Sequence, residues 1–163
     1  MSAYITLMTP MTDEECLLAA LADVGFDRTK VEVHVNPVRL MGYQVDRQIR
    51  EANLVIRRQH VGSVYNDVGF LATPTGYQAF VSDDDPRFGA GWLELLNQQY
   101  QLHAEAKQQR MAEEERQHLE AARKKLVEAQ RATICAKAKK LGYQVKETRA
   151  GDSIRLVLVK RTY

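Results

Sequence analysis

From Trp92 to Leu141 the chain runs about fifty residues without a single glycine or proline. Ala, Glu, Gln, Arg, Lys and Leu dominate this stretch, and these are the strongest helix formers. A continuous helix of that length spans roughly 75 Å at 1.5 Å per residue, so few folds can contain it. Its two ends are apolar at helical spacing: Trp92, Leu93, Leu96 and Tyr100 early, then Val127, Ile134, Ala138 and Leu141 late. Each end is therefore expected to lie on a sheet. The middle is different. In HAEAKQQRMAEEERQH, residues 103 to 118, Met111 is the only large apolar side chain. Such a stretch cannot fill a core, so it is expected to project into solvent or lie on a partner.

The rest of the chain supplies the sheet. AYITLM (3 to 8), KVEVHV (30 to 35) and ANLVIRRQ (52 to 59) read as strands. Val31, Val33 and Val35 are expected on one face, with Asn36 and Pro37 interrupting. YQVDRQIRE (43 to 51) reads as strand or loop. NDVGFLATPTGYQAFVS (66 to 82) reads as a hairpin through Pro74, Thr75 and Gly76, and DDDPRFGAG (83 to 91) as a loop. Between the first two strands, Thr12 and Glu15 have capping-box spacing. Leu17, Leu18, Leu21 and Val24 then share a helical face that Gly25 closes. After the long helix, Gly142 stands at the C-cap position and GYQVKETRAGDSIRLVLVKR (142 to 161) reads as a hairpin turning at Arg149 to Asp152. Ile154, Leu156 and Leu158 face one way and Val157 and Val159 the other, which predicts an interior strand. A lone hairpin is marginal in water, so this one is expected to join a larger sheet. An unbroken helix would make it pair elsewhere, with another subunit as one choice; a helix folded back would return it to its own sheet. No turn residue marks a fold-back, which favours the unbroken helix. The fold class expected is α+β: an antiparallel sheet covered by the N-terminal helix and the ends of the long helix, with residues 1–163 forming one domain and 105–130 a helical insertion within it.

Several chemistries lack their residues. The four histidines, His34, His60, His103 and His118, have no metal-ligand spacing between them, and no Cys/His cluster or calcium loop is present. Cys16 and Cys135 are far apart, outside any CxxC, and read as small apolar residues rather than a disulfide. There is no nucleophile elbow, Walker loop or dinucleotide fingerprint. The three acids of DDDP (83 to 86) read as a solvated turn. No catalytic constellation is visible, and neither an enzyme nor a cofactor is expected. MSAYITLMTPMTDEE has no basic leader and no apolar run, and no stretch approaches a membrane span, so a cytoplasmic protein off the membrane is expected.

Two interaction readings remain. A partial heptad, Leu119, Ala122, Leu126, Ala129, Thr133 and Ala136, is either a thin stripe on a solvated helix or a close contact with a second helix, from a partner or another copy. Tyr100 and His103 neighbour each other on the helix surface. The plainer expectation packs Tyr100 on the sheet and leaves His103 exposed; the sharper one adds both to a partner-binding surface with Met111, Leu119 and Leu126. The second reading is nucleic acid. Residues 123 to 140 hold seven basic residues and one acid, a local charge of 7 − 1 = +6, with Arg123, Lys124, Lys125 and Arg131 as candidate contacts. These cations surround the helix rather than lining one face, and the preceding 105 to 120 carries five acids against three basics. That pattern fits a solvated helix with i,i+3 and i,i+4 pairs such as Glu120 with Arg123 and Lys124. Arg47, Arg50, Arg57 and Arg58 form a weaker patch, because Arg57 and Arg58 point to opposite faces of a strand. The net charge of +2 implies no polyanion.

The order MSAYITL, EECLLAALADVGF, GYQV with ANLVIRR, NDVGF, LLNQQYQLH and GYQVKETRAGDSIRLVLVKR resembles the hypothetical chloroplast reading frame thirty-five family, also called domain of unknown function twelve-fifty-seven. The resemblance covers nearly the whole chain except the middle of the long helix. Family members reach the closing GYQV-like strand through a shorter helix, so residues roughly 105 to 130 are an insertion. The resemblance brings no established activity. It implies a setting: a component of a multi-part regulatory or defence system centred on an AAA+ ATPase, to which the insertion adds a surface of its own.

Overall fold

The structure is a computed structural model that describes residues 4–42, 49–62, 66–82, 85–151 and 153–160. Most of YQVDRQIRE, the first two acids of DDDP, Arg47 and the turn residue Asp152 lie outside the described residues. The architecture is α+β. In chain order the elements are β1 (Tyr4–Met8), α1 (Glu14–Asp23), β2 (Val31–Arg39), β3 (Glu51–Ile56), a one-turn α2 (Arg58–Val61), β4 (Val68–Thr73), β5 (Gly76–Ser82), a 3-10 turn (Pro86–Phe88), α3 (Ala90–Lys140), β6 (Tyr143–Ala150) and β7 (Ser153–Lys160). The chain divides into two compact units, Met1–Gln108 and Gln109–Tyr163.

The first unit is built on a five-stranded antiparallel sheet in the order β1-β5-β4-β3-β2. β4 and β5 form the hairpin expected around Pro74 and Thr75, with Thr73 opposite Gly76. One sheet face carries the main core. Leu17, Ala20 and Leu21 of α1 and Leu93, Leu96 and Tyr100 of α3 pack there with Leu54, Ile56, Phe70 and Ala79. Trp92 joins this core at its edge, its ring 5.1 Å from Phe88, 6.2 Å from Phe26 and 6.3 Å from Phe70, at distances and tilts that favour aromatic pairs. The opposite face buries a smaller cluster of Leu40, Ala52, Val55 and Phe80. There the Arg50 guanidinium stacks over the Tyr4 and Phe80 rings at 5.6 Å each.

Four local expectations need correction. The N-cap of α1 is Asp13, one residue after Thr12, and its carboxylate accepts from the Cys16 amide at 3.0 Å. A carboxylate there meets both the free amide and the helix dipole, which a threonine hydroxyl meets only in part. Of the three valines expected on one face of β2, Val31 is buried, but Val33 is 36% and Val35 96% exposed. The register of β2 against β3 shifts between Val33 and Val38, where Asn36 and Pro37 sit, and Val35 leaves the ladder. Strand β3 stops at Ile56, and Arg58 opens a helical turn instead of extending it. At the far end of α3, Ala138 is buried, but Ile134 and Leu141 are 45% and 75% exposed.

Helix α3 is unbroken from Ala90 to Lys140. In the second unit it is followed through Gly142, whose positive φ of 81° suits only glycine without strain, by β6 and β7. Those strands pair antiparallel from Tyr143 opposite Lys160 to Ala150 opposite Ser153. Within this chain the hairpin joins no larger sheet among the described residues: β6 and β7 form a two-stranded sheet of their own. Its support is helical. Val127, Arg131, Cys135 and Ala138 are the half-buried or buried positions of this part of α3, and they share one face. From that face Arg131 donates to Glu147 of β6 at 2.8 Å. Packing on a helix is what lets so small a sheet persist.

Candidate functional site

The residues proposed for partner binding divide between the two units. Tyr100 is 5% exposed, and its hydroxyl oxygen accepts from the backbone N–H groups of Thr12 and Asp13, each at 3.0 Å. Its role is to hold the start of α1 on α3, and it is not available to a partner. His103 is not free in the way the sequence suggests: its Nε2 lies 2.6 Å from a carboxylate oxygen of Asp23 near the other end of α1. One turn further, Lys107 donates to Asp13 at 2.7 Å and Glu15 at 2.8 Å. Lys107, with the Cys16 amide, holds the Asp13 carboxyl below its usual range, and the two carboxylates raise the Lys107 ammonium in turn. Tyr100, His103 and Lys107 thus clamp α1 along its length. Lys107, read from the sequence as part of the insertion, belongs to the first unit.

Beyond Gln108 the helix is bare. From Gln108 to Leu126 every side chain of α3 is exposed, with Met111 at 61%, Leu119 at 62% and Leu126 at 60%. Ala122, Ala129, Thr133 and Ala136 are exposed as well. At about 100° per residue these positions lie on one side of α3, roughly opposite the Val127–Arg131–Cys135–Ala138 face that meets the hairpin. The hairpin therefore leaves the apolar stripe uncovered. Its polar flanks are internally paired: Glu113 holds Arg116 at 2.7 Å and Gln117 at 2.9 Å. Such i,i+3 and i,i+4 pairs support a helix that has little else to pack on.

The basic segment is less uniform than its composition. Arg131 is committed to Glu147 and Glu128, which raise its guanidinium's proton affinity, and Arg149 pairs with Glu147 at 2.8 Å. Arg131 is thus not free for a phosphate. Lys137, Lys139 and Lys140 occupy the last turn of α3, where the helix dipole favours cations. Arg123, Lys124 and Lys125 instead contribute to the lining of an open cleft of about 470 Å³ between α3 and the hairpin turn. Arg149 adds a fourth cation, Glu120 and Glu128 supply two acids, and Val127 and Ile154 give the cleft an apolar floor.

The NDVGF stretch, a carrier of the family resemblance, has a structural explanation. Asp67 is fully buried and accepts from the Met41 and Arg58 amides at 2.9 and 2.8 Å and from Arg57 at 3.0 Å. Arg57 also reaches Glu32 at 2.5 Å, and this pairing lowers the Glu32 pKa. A Cβ on Gly69 would stand 2.7 Å from Leu40 and 2.8 Å from Ala52, so the strand needs a glycine there. The Asp67 network was not visible in the sequence, because its partners lie on β2, a loop and the start of α2; an acid at the head of a β-rich run was the only hint. The third acid of DDDP, Asp85, caps the Arg87 amide at 3.1 Å and pairs with its guanidinium at 2.7 Å. Among the described residues, no three His, Cys, Asp or Glu side chains are grouped to hold a metal ion, and no helix is long and apolar enough to cross a membrane.

Comparison with protein-family models, with curated proteins and with solved structures finds no match for this chain.

Proposed function

We propose that this chain is a non-enzymatic accessory subunit that docks another protein through the bare segment of α3. The observation that carries the reading is the stripe of Met111, Leu119, Ala122, Leu126 and Ala129, exposed on a helix whose opposite face already holds the hairpin. An amphipathic helix laid into a partner's groove uses anchors at this spacing. The resemblance to the chloroplast reading frame thirty-five family supplies the setting, a multi-component system around an AAA+ ATPase in the cytoplasm. The insertion supplies the surface that distinguishes this member. The stripe is also where a second copy of α3 would pack if the partner is the protein itself.

The test is affinity purification of the tagged chain from its native host beside a deletion of residues 109–126. That segment is five full helical turns, so the deletion keeps the angular phase of the remaining helix and spares Lys107 and Arg131. A protein recovered in stoichiometric amount and lost on deletion supports the reading. Its retention by the deleted chain contradicts it.

The presence of Arg123, Lys124 and Lys125 in the lining of one cleft favours a second reading, a nucleic-acid-associated factor. Replacing the three with glutamate should then abolish nucleic-acid binding and flatten its salt dependence. Binding that survives the triple replacement contradicts that reading.

A further inference from the structure

Strand β7 is composed as an interior strand and placed as an edge. Ile154, Leu156 and Leu158 line one face and Val157 and Val159 the other, yet among the described residues the strand pairs only with β6. Val157, Leu158 and Val159 are 45%, 47% and 38% exposed. Its neighbour is made differently: β6 carries Lys146, Glu147 and Arg149, the charges that keep an edge from being extended. The free side of β7 offers unpaired backbone groups between apolar faces, which is a template for another strand.

We propose that the free edge of β7 pairs antiparallel with β7 of a second copy, centred on Val157, to give a four-stranded sheet in the order β6-β7-β7-β6. A two-fold axis through such a pair keeps each face on the same side, so side chains of one face meet only their own kind. Centred on Val157, the valine meets itself and Leu156 meets Leu158. Ile154 lies opposite Lys160 and Arg155 opposite Val159, so no cation faces a cation. Centring on Leu156 instead would set Val157 against Arg155 and Val159 against Ser153, losing the apolar contact on the outer face. The pairing satisfies the open edge, brings the sheet past the two-strand limit and uses the apolar character of both faces at once. It requires nothing of the α3 stripe and stands apart from the partner reading.

The experiment uses the full chain with Cys135→Ser, which removes the half-buried thiol; Cys16 is 3% exposed. Val157→Cys places two thiols directly across the axis, within the Cα separation a disulfide spans. Thr148→Cys lies on the same face but on β6, opposite Arg155, so its copies would be three strand spacings, about 14 Å, apart across the sheet and further offset along it. Mild oxidation should give a covalent dimer with Val157→Cys and not with Thr148→Cys. Light scattering on the unmodified chain should read twice the 18.6 kDa chain mass. Val157→Glu should weaken that dimer roughly tenfold or more by burying two facing carboxylates. A monomer at all concentrations, Val157→Cys linking no faster than Thr148→Cys, or efficient linking through Leu126→Cys in its place would overturn the proposal.

Discussion

The two units of this chain are made by opposite means. Up to Gln108, β-prone runs and two amphipathic helix faces bury side chains on both sides of a five-stranded sheet. Beyond it, Ala138 is the only buried apolar residue among those described. The helix α3 serves both regimes. Its first turns hold their place because Leu93, Leu96 and Tyr100 are core residues, and later turns because alanine, glutamate, lysine and arginine favour helix on their own. The lesson is that one continuous element can be tertiary structure at one end and a presented surface at the other. The break is visible where large apolar residues stop recurring.

The comparison breaks most visibly in a denaturant titration. Trp92 is the only tryptophan and sits in the first unit's aromatic cluster, so its emission reports that unit alone. Far-ultraviolet dichroism reports mainly α3. The two transitions should not coincide, with helix signal lost first; coincident curves would mean one cooperative fold. Next in size is Leu96→Ala, fully buried, which should cost about 3 kcal/mol by the Trp92 signal. Leu126→Ala, 60% exposed, should stay within about 0.5 kcal/mol. Gly69→Ala should cost about 1–3 kcal/mol, since Leu40 and Ala52 must move aside. Tyr100→Phe leaves two amides at the head of α1 without their acceptor and should cost about 1–2 kcal/mol.

The smallest effect is acid sensitivity. Asp13, Glu32 and Asp85 all have folded pKa values below the ordinary carboxylate range, held there by Lys107, Arg57 and Arg87. A depressed folded pKa contributes stability that is present above the unfolded value and lost as pH falls through the folded one. The first unit should therefore weaken below about pH 4, and Asp13→Asn should flatten that slope in melts taken across pH 3 to 6.

Much of this was legible in the chain itself, for physical reasons. The periodicity of Leu17 and Leu21, and of Leu93, Leu96 and Tyr100, reports burial directly, and both hairpins are signalled by turn residues between β-prone runs. What escaped was non-local. Arg57 and Arg58 read as adjacent strand residues, yet they stand at the start of α2, and only the fold brings Glu32 and Asp67 to Arg57. Asn36 and Pro37 announced an interruption, though not that the ladder would resume past them with Val35 outside. His103 and Lys107 looked solvated because their partners, on α1, are some eighty or more residues earlier. Composition alone made β7 an interior strand, and within one chain it is an edge. Met111, Leu119 and Leu126 were easiest to place, since an exposed position on a polar helix needs no distant contact to be read.

The measurement that tests the central claim most directly is partner recovery by a Met111→Glu, Leu119→Glu, Leu126→Glu triple variant, taken beside its Trp92-monitored unfolding curve. The account predicts an unchanged unfolding midpoint together with loss of the co-purifying protein. A variant that keeps its partner would contradict the claim that the bare face of α3 is the docking surface. A lowered midpoint would contradict the claim that this face adds nothing to the folded core.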